Sequence, residues 1–331
     1  MADSGDVLGR RAARGALVAL LACGAVSALA PFARAGAESR GGLGHVYLKT
    51  YYAHSDADSG FDSNGDEMSL VSNAFLDRLT SLFAHGGKYD ETDFGIYGEF
   101  GLTDSLDLVL STEWKDIEKS FRLEGLGIVY PIDQKSSGLG DVNAGLKYQF
   151  LADPLPLAAG FSFRIPTYST SVHALRLDTL DSSNDRIALG NGTTDLTLGL
   201  EASSGPLLPW VFADLSAAYV LADLEHRKFS DSFNWSAKLG VSRWGLGCDG
   251  YLGGNLSTRN GSASDTITQD LLHLDPKTRV VVLNDQEWLQ VGGDVWYGYD
   301  GLGVQAGYAT TLSGTNTVKN DRLEIGVFVQ R

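Results

Sequence analysis

The feature that most constrains this chain is a period of two, returning in segments of about ten residues along almost everything after position 40. Successive side chains of an extended strand point to opposite faces, so strict alternation marks a strand with one apolar face and one polar face. From Asp141 to Phe150, Val142, Ala144, Leu146, Tyr148 and Phe150 share one face, and Asp141, Asn143, Gly145, Lys147 and Gln149 the other. The same stripe is drawn by Leu106, Leu108, Leu110 and Trp114; by Leu196, Leu198 and Leu200; by Phe233, Trp235, Ala237, Leu239 and Val241; and by Leu323, Ile325, Val327 and Val329. Apolar runs after position 40 are far shorter than the roughly 20 residues a spanning helix needs, so a helical membrane protein is excluded.

A soluble sandwich alternates too, and the connections discriminate. Tight connections at 103–104, 152–156, 204–209, 244–245 and 300–301 rotate with longer polar stretches at 55–89, 116–137, 169–189, 223–230, 260–285 and 313–320. Short turns at one end and long loops at the other are the plan of an outer-membrane barrel. The rotation predicts an all-β fold, a transmembrane antiparallel up-and-down β-barrel of about 12 strands with both termini in the periplasm. The stretch 121–131 reads as a hairpin arm of the second outer loop; placing it and a partner in the wall gives the alternative of 14. Trp210, Trp244 and Tyr299 lie beside short turns, and Tyr52, Trp114, Trp235 and Trp288 near long loops, as two interfacial girdles require.

The first 35 residues read as a cleavable export signal. Arg10, Arg11 and Arg14 precede an apolar run from Gly15 to Ala30, and Ala33-Arg34-Ala35 offers a small-x-small cleavage site. Residues 36–331 are then the barrel domain, with the bacterial outer membrane as destination. The expected partners are outer-membrane lipid, the barrel-assembly machinery and a small-molecule permeant, with the protein monomeric. Without the signal the chain holds 22 basic and 39 acidic residues, which argues against nucleic acid. Only Cys248 survives cleavage, so an intrachain disulfide is excluded, and no cofactor is expected.

If the apolar stripe meets lipid, the opposite face lines a lumen. That face carries Asp93, Glu99, Asp107, Glu113, Asp141, Asp195, Glu201, Asp214, Asp249, Asp294 and Glu324 against Lys49, Lys147, Arg164 and Lys238, 11 acids to 4 bases, with Asn143 among them. Glycines interleave on this face at positions such as Gly95, Gly145, Gly240 and Gly292, which reads as room left inside.

The runs Gly138-Leu139-Gly140-Asp141-Val142 and Gly145-Leu146-Lys147-Tyr148, with Tyr97-Gly98-Glu99-Phe100-Gly101-Leu102-Thr103-Asp104, Phe61-Asp62 with Gly65, and Ile165-Pro166-Thr167, resemble a family of outer-membrane proteins associated with the MetA pathway of phenol degradation. That family is distantly like the fatty-acid and toluene channels, and the resemblance implies passage of small hydrophobic or aromatic molecules. Tyr168 departs from it, standing where family members usually have glycine.

Two loop features invite chemistry. Asp56, Asp58, Asp62 and Asp66 concentrate oxygen ligands suited to calcium, but the spacing fails the twelve-residue calcium-loop template, so a solvated turn is the preferred reading and no metal is expected. Val71, Phe75, Leu79 and Leu82 recur at helical spacing, so residues 67–85 are expected to form an amphipathic helix, a lid over the pore or a packed rim element. No Gly-x-Ser-x-Gly turn occurs, and the six histidines are scattered. The reading is therefore a channel and not an enzyme, with a structural or adhesive barrel as one alternative and an outer-membrane hydrolase as another.

Overall fold

Every strand of the wall pairs with the one before and the one after it in sequence. The structure is a computed structural model that describes residues 37–39, 41–61, 64–69, 84–125, 128–168, 189–190, 192–204, 210–225, 229–261 and 285–331. Its strands are β1 (Val46–Phe61), β2 (Glu67–Ser69), β3 (Ala84–Gly101), β4 (Leu106–Gly125), β5 (Ile128–Leu151), β6 (Leu157–Ile165), β7 (Asp195–Ser203), β8 (Val211–Leu221), β9 (Ser232–Arg243), β10 (Leu246–Ser257), β11 (Glu287–Tyr299), β12 (Leu302–Thr315) and β13 (Thr317–Gln330). Order in the sheet follows order in the chain, and β13 returns to pair with β1, from Tyr47↔Gln330 up to Asp56↔Asp321. The three-residue β2 only extends the tip of β1, so the closed antiparallel ring holds 12 strands. Closure removes sheet edges, which leaves no unpaired ladder of backbone groups facing lipid.

Burial shows which solvent the wall was built for. The largest fully buried side chains include Lys147, Glu99 and Glu324, whereas Leu200 is 59% exposed, Leu239 61% and Phe94 58%. A soluble sandwich would show the reverse, so the apolar stripe is a lipid-facing belt around a charged interior. Leu146→Arg, placed beside Leu108 and Phe161 on the belt, should weaken folding in lipid by about 2 to 4 kcal/mol if it lies near mid-bilayer. Asn143→Arg, on the inner face, should cost far less. Refolding both variants into liposomes measures the difference; equal costs would reverse the inside-outside register.

Several expectations change in detail. Residues 121–125 and 128–131 continue the pairing of β4 with β5, so the count of 14 is not realised. The outer stretch 313–320 is no loop: β12 and β13 run on to a bend at Asn316, which takes a φ of 49°. The helix expected over 67–85 is contradicted at both ends, where Glu67–Ser69 and the start of β3 are strand. The lid positions Val71, Phe75, Leu79 and Leu82 lie outside the described residues, as does the export signal. Lys319 donates to Glu67 at 2.8 Å, which with the Ser59 hydroxyl holds that exposed carboxyl below its ordinary range.

Wall height is uneven. β4 and β5 run 20 and 24 residues, while β6 and β7 have 9 each, about the minimum for a tilted spanning strand. The described strands therefore end lower at β6–β7 than at β4–β5.

Of the girdles, Trp114, Tyr52, Trp210, Trp244 and Tyr299 are exposed. Trp288 is a correction, because it pairs with Asn255, whose side chain belongs to the inner face.

Candidate functional site: the charged lumen

Alternation carries each acid and base named above to the face opposite the belt, and the cross-strand register then decides who meets whom. At the short-turn end Lys147 of β5 lies 3.1 Å from Glu99 and 3.8 Å from Asp107. The Tyr97 hydroxyl donates to Glu99 at 2.5 Å, and its ring packs against Val109 and Tyr47. Across the seam Lys49 bonds Glu324 at 2.5 Å. Higher up, Lys115 reaches Glu91 at 2.6 Å and Glu113 at 3.1 Å, and Arg322 reaches Asp93 at 2.6 Å. The Tyr51 hydroxyl donates to Glu113 at 3.1 Å.

The opposite wall is built the same way and more loosely. Arg164 pairs with Asp195 and stands 3.7 Å from Asp141. Lys238 lies 3.3 Å from Asp249, and is the cross-strand partner of Asp214. Gln305 donates to Asp294 at 2.5 Å. Asn143, Asp214, Ser216, Asn234 and Ser236 are only half-buried, so the free inner surface runs along β5 and along β8 and β9. Glu201, 6% exposed on β7, lies between them.

Sequence reasoning missed Glu91, Lys115 and Arg322, which raise the inner acids named here to 12 and the bases to 6. Parity could have found them, since Lys115 shares a face with Glu113 and Arg322 with Glu324, but both stood at assumed strand ends. The glycines also change meaning. A Cβ at Gly95 would strike the Tyr51 ring, at Gly292 the Tyr251 ring and at Gly240 the Phe212 ring, so these positions seat inward aromatics and are not open room. Phe212 and Trp296 meet on that shelf with ring centroids 5.9 Å apart.

A further element crosses the mouth at the short-turn end. Ala37 is fully buried, and its backbone N–H donates to Ser203 of β7 at 2.7 Å. Ser39 donates from its N–H to Gln149 at 3.0 Å and from its hydroxyl to Asp107 at 2.9 Å. Since β7 lies nearly opposite β1 in the ring, residues 37–39 and 41–45 form a strap from one wall to the other.

The motif residues at 138–141 and 165–168 are neighbours. Register shifts between β4 and β5 opposite Gly140 and Asp141, and the Thr167 hydroxyl is 2.9 Å from the Leu139 carbonyl and 2.8 Å from that of Gly140. The Tyr168 hydroxyl accepts the Gly192 N–H at 3.3 Å, using its extra reach to hold the chain entering β7.

The calcium candidates are not brought together. Asp56 and Asp58 project outward from β1, Asp66 lies beyond its tip, and Asp62 is outside the described residues. Among the described residues no group of three metal-ligating side chains forms. His54 lies 3.5 Å from the Thr92 hydroxyl and 4.0 Å from Asp90, while His173, His226 and His273 are outside the described residues.

No protein-family profile matches the chain, and no curated protein matches it. Among solved structures it is similar to an outer membrane channel from Pseudomonas putida F1, at 17% identity and a TM-score of 0.55, covering 87% of this chain and 96% of that one. The translocator domain of the autotransporter NalP from Neisseria meningitidis matches at 10% identity and 0.42, covering 88% and 89%. A FadL homologue from Pseudomonas aeruginosa matches at 10% and 0.38, covering 86% and 89%. At such identities the first likeness establishes the barrel fold, and the other two carry no argument.

Proposed function

We propose that this protein is an outer-membrane channel for small molecules, with a narrow acidic lumen and a periplasmic mouth crossed by its own N-terminal strap. The observation that carries the reading is the inner face itself, on which the acids named above outnumber the bases 12 to 6 inside a closed, lipid-belted wall. A lumen of that charge repels anions and admits neutral or cationic solutes. The MetA-pathway resemblance points further, to small hydrophobic or aromatic permeants, and the half-buried Phe212–Trp296 pair gives an aromatic ring a surface to pass.

The strap supplies the test. Its described residues 37–39 reach the wall through three hydrogen bonds, and they stand outside the closed ladder of the barrel. Deleting residues 37–41 should leave barrel yield unchanged and raise single-channel conductance several-fold in planar bilayers. Uptake of a small aromatic amine and of a small sugar by protein-loaded vesicles then compares the two permeant classes.

A sealed structural barrel is the second reading, favoured by the near-complete burial of the Lys147, Glu99 and Asp107 cluster. It requires that the deletion stay silent.

A further inference from the structure

At the short-turn end of the wall, Arg243 is the last residue of β9 and points outward, paired across the hairpin with Leu246, which is 61% exposed. Its guanidinium carbon sits 4.4 Å from the Trp210 ring centre and 3.8 Å from that of Trp244. Both rings are themselves exposed, Trp244 at 83%. Among the described residues no carboxylate lies within ion-pair distance of Arg243, in a chain whose formal charge is -15. The two indoles flank a planar cation whose N–H donors meet no carboxylate among the described residues.

The turn beside it repeats this emphasis. Two hairpins close with two-residue loops of matching form: Trp244-Gly245, with φ of 53° and 81°, and Asp300-Gly301, with φ of 50° and 77°. In each, the glycine carbonyl accepts an N–H from the adjacent strand, Gly298 in one and Gln330 in the other. Both positive φ values are the geometry that favours Asn-Gly and Asp-Gly. A bulky indole in the left-handed region is an outlier that costs stability, and the chain accepts it at the hairpin that flanks Arg243.

We infer that Trp210, Arg243 and Trp244 form a clamp for the phosphate of an anionic phospholipid in the leaflet at the short-turn surface, with the acyl chain lying on Val241, Leu246 and Tyr297. Those three side chains are outward and 47%, 61% and 50% exposed, and they continue from the clamp over the belt. A phosphate takes two parallel donors from the guanidinium edge, and its charge supplies the counter-ion that the protein does not. The inference rests on the membrane-barrel reading, with the short turns in the phospholipid leaflet, and not on conduction.

The test refolds the protein into phosphatidylcholine vesicles containing a minor fraction of phosphatidylglycerol, releases it in mild detergent and counts retained lipids by native mass spectrometry. Wild type should retain phosphatidylglycerol over phosphatidylcholine by about five-fold beyond the vesicle ratio, the factor expected for one basic group at a membrane surface. Arg243→Gln should return retention to that ratio without altering conductance. Trp244→Asn, which relieves the turn and secures folding, should lose most of the preference while keeping the arginine. No preference in wild type, an undiminished one in Arg243→Gln, or a full one in Trp244→Asn would each overturn the clamp.

Discussion

Replacing Lys147 by methionine will destabilise the barrel by about 3 to 5 kcal/mol, because it removes the buried cation that stands 3.1 Å from Glu99 and 3.8 Å from Asp107. The cost is not the intrinsic value of the ion pair. Bringing two charges out of water consumes most of what their attraction returns, whereas an unmatched carboxylate in the same site retains the penalty and loses the return. Pairing Lys147→Met with Glu99→Gln should recover part of the loss, since the Asp107 carboxylate still receives the Ser39 hydroxyl. Urea unfolding in lipid vesicles, followed by tryptophan fluorescence, measures both. A loss below about 1 kcal/mol, the scale of a solvent-screened pair, would mean that water fills this part of the lumen.

That the lumen could be read so far in advance follows from the bilayer. Where a strand has lipid on one side and a polar interior on the other, selection acts oppositely on alternate residues, and the sequence records it, as at Val142 to Phe150. Beyond the belt the record changes sense. In β4 from residue 116 the charged Asp116, Glu118 and Arg122 take the parity of the belt and Ile117, Phe121 and Leu123 the other, while the tips of β12 and β13 carry charged, hydroxyl and glycine residues on both sides, so these stretches read as loops although their backbones pair. Lys115 and Arg322 were lost at that same boundary. The strap was illegible for a different reason: the contacts of its described residues use backbone N–H groups and two serines, and only the closed ring brings Ala37 to Ser203 across 166 positions of sequence. Glycine had two readings on an inner face, and only register could show that Gly95 and Tyr51 occupy opposed sites, one vacant so that the other fits.

The second large effect concerns charge selectivity, and it is also the most direct test of the channel. Carboxylates held on low-dielectric walls set up a negative potential along the pore, which concentrates cations and depletes anions, and which salt progressively screens. Many of the inner acids are locked against a base, so the selectivity should rest on those still partly exposed to the free inner surface, Asp141 and Asp214. The Asp141→Asn, Asp214→Asn double variant should fold normally and lose much of the preference. The deciding measurement is the reversal potential of single channels across a potassium chloride gradient, for the full barrel and for the protein lacking residues 37–41. Discrete conductance steps with a cation-sided reversal potential that collapses toward zero as salt rises are the predicted result; anion preference, or no conductance even without the strap, would contradict it.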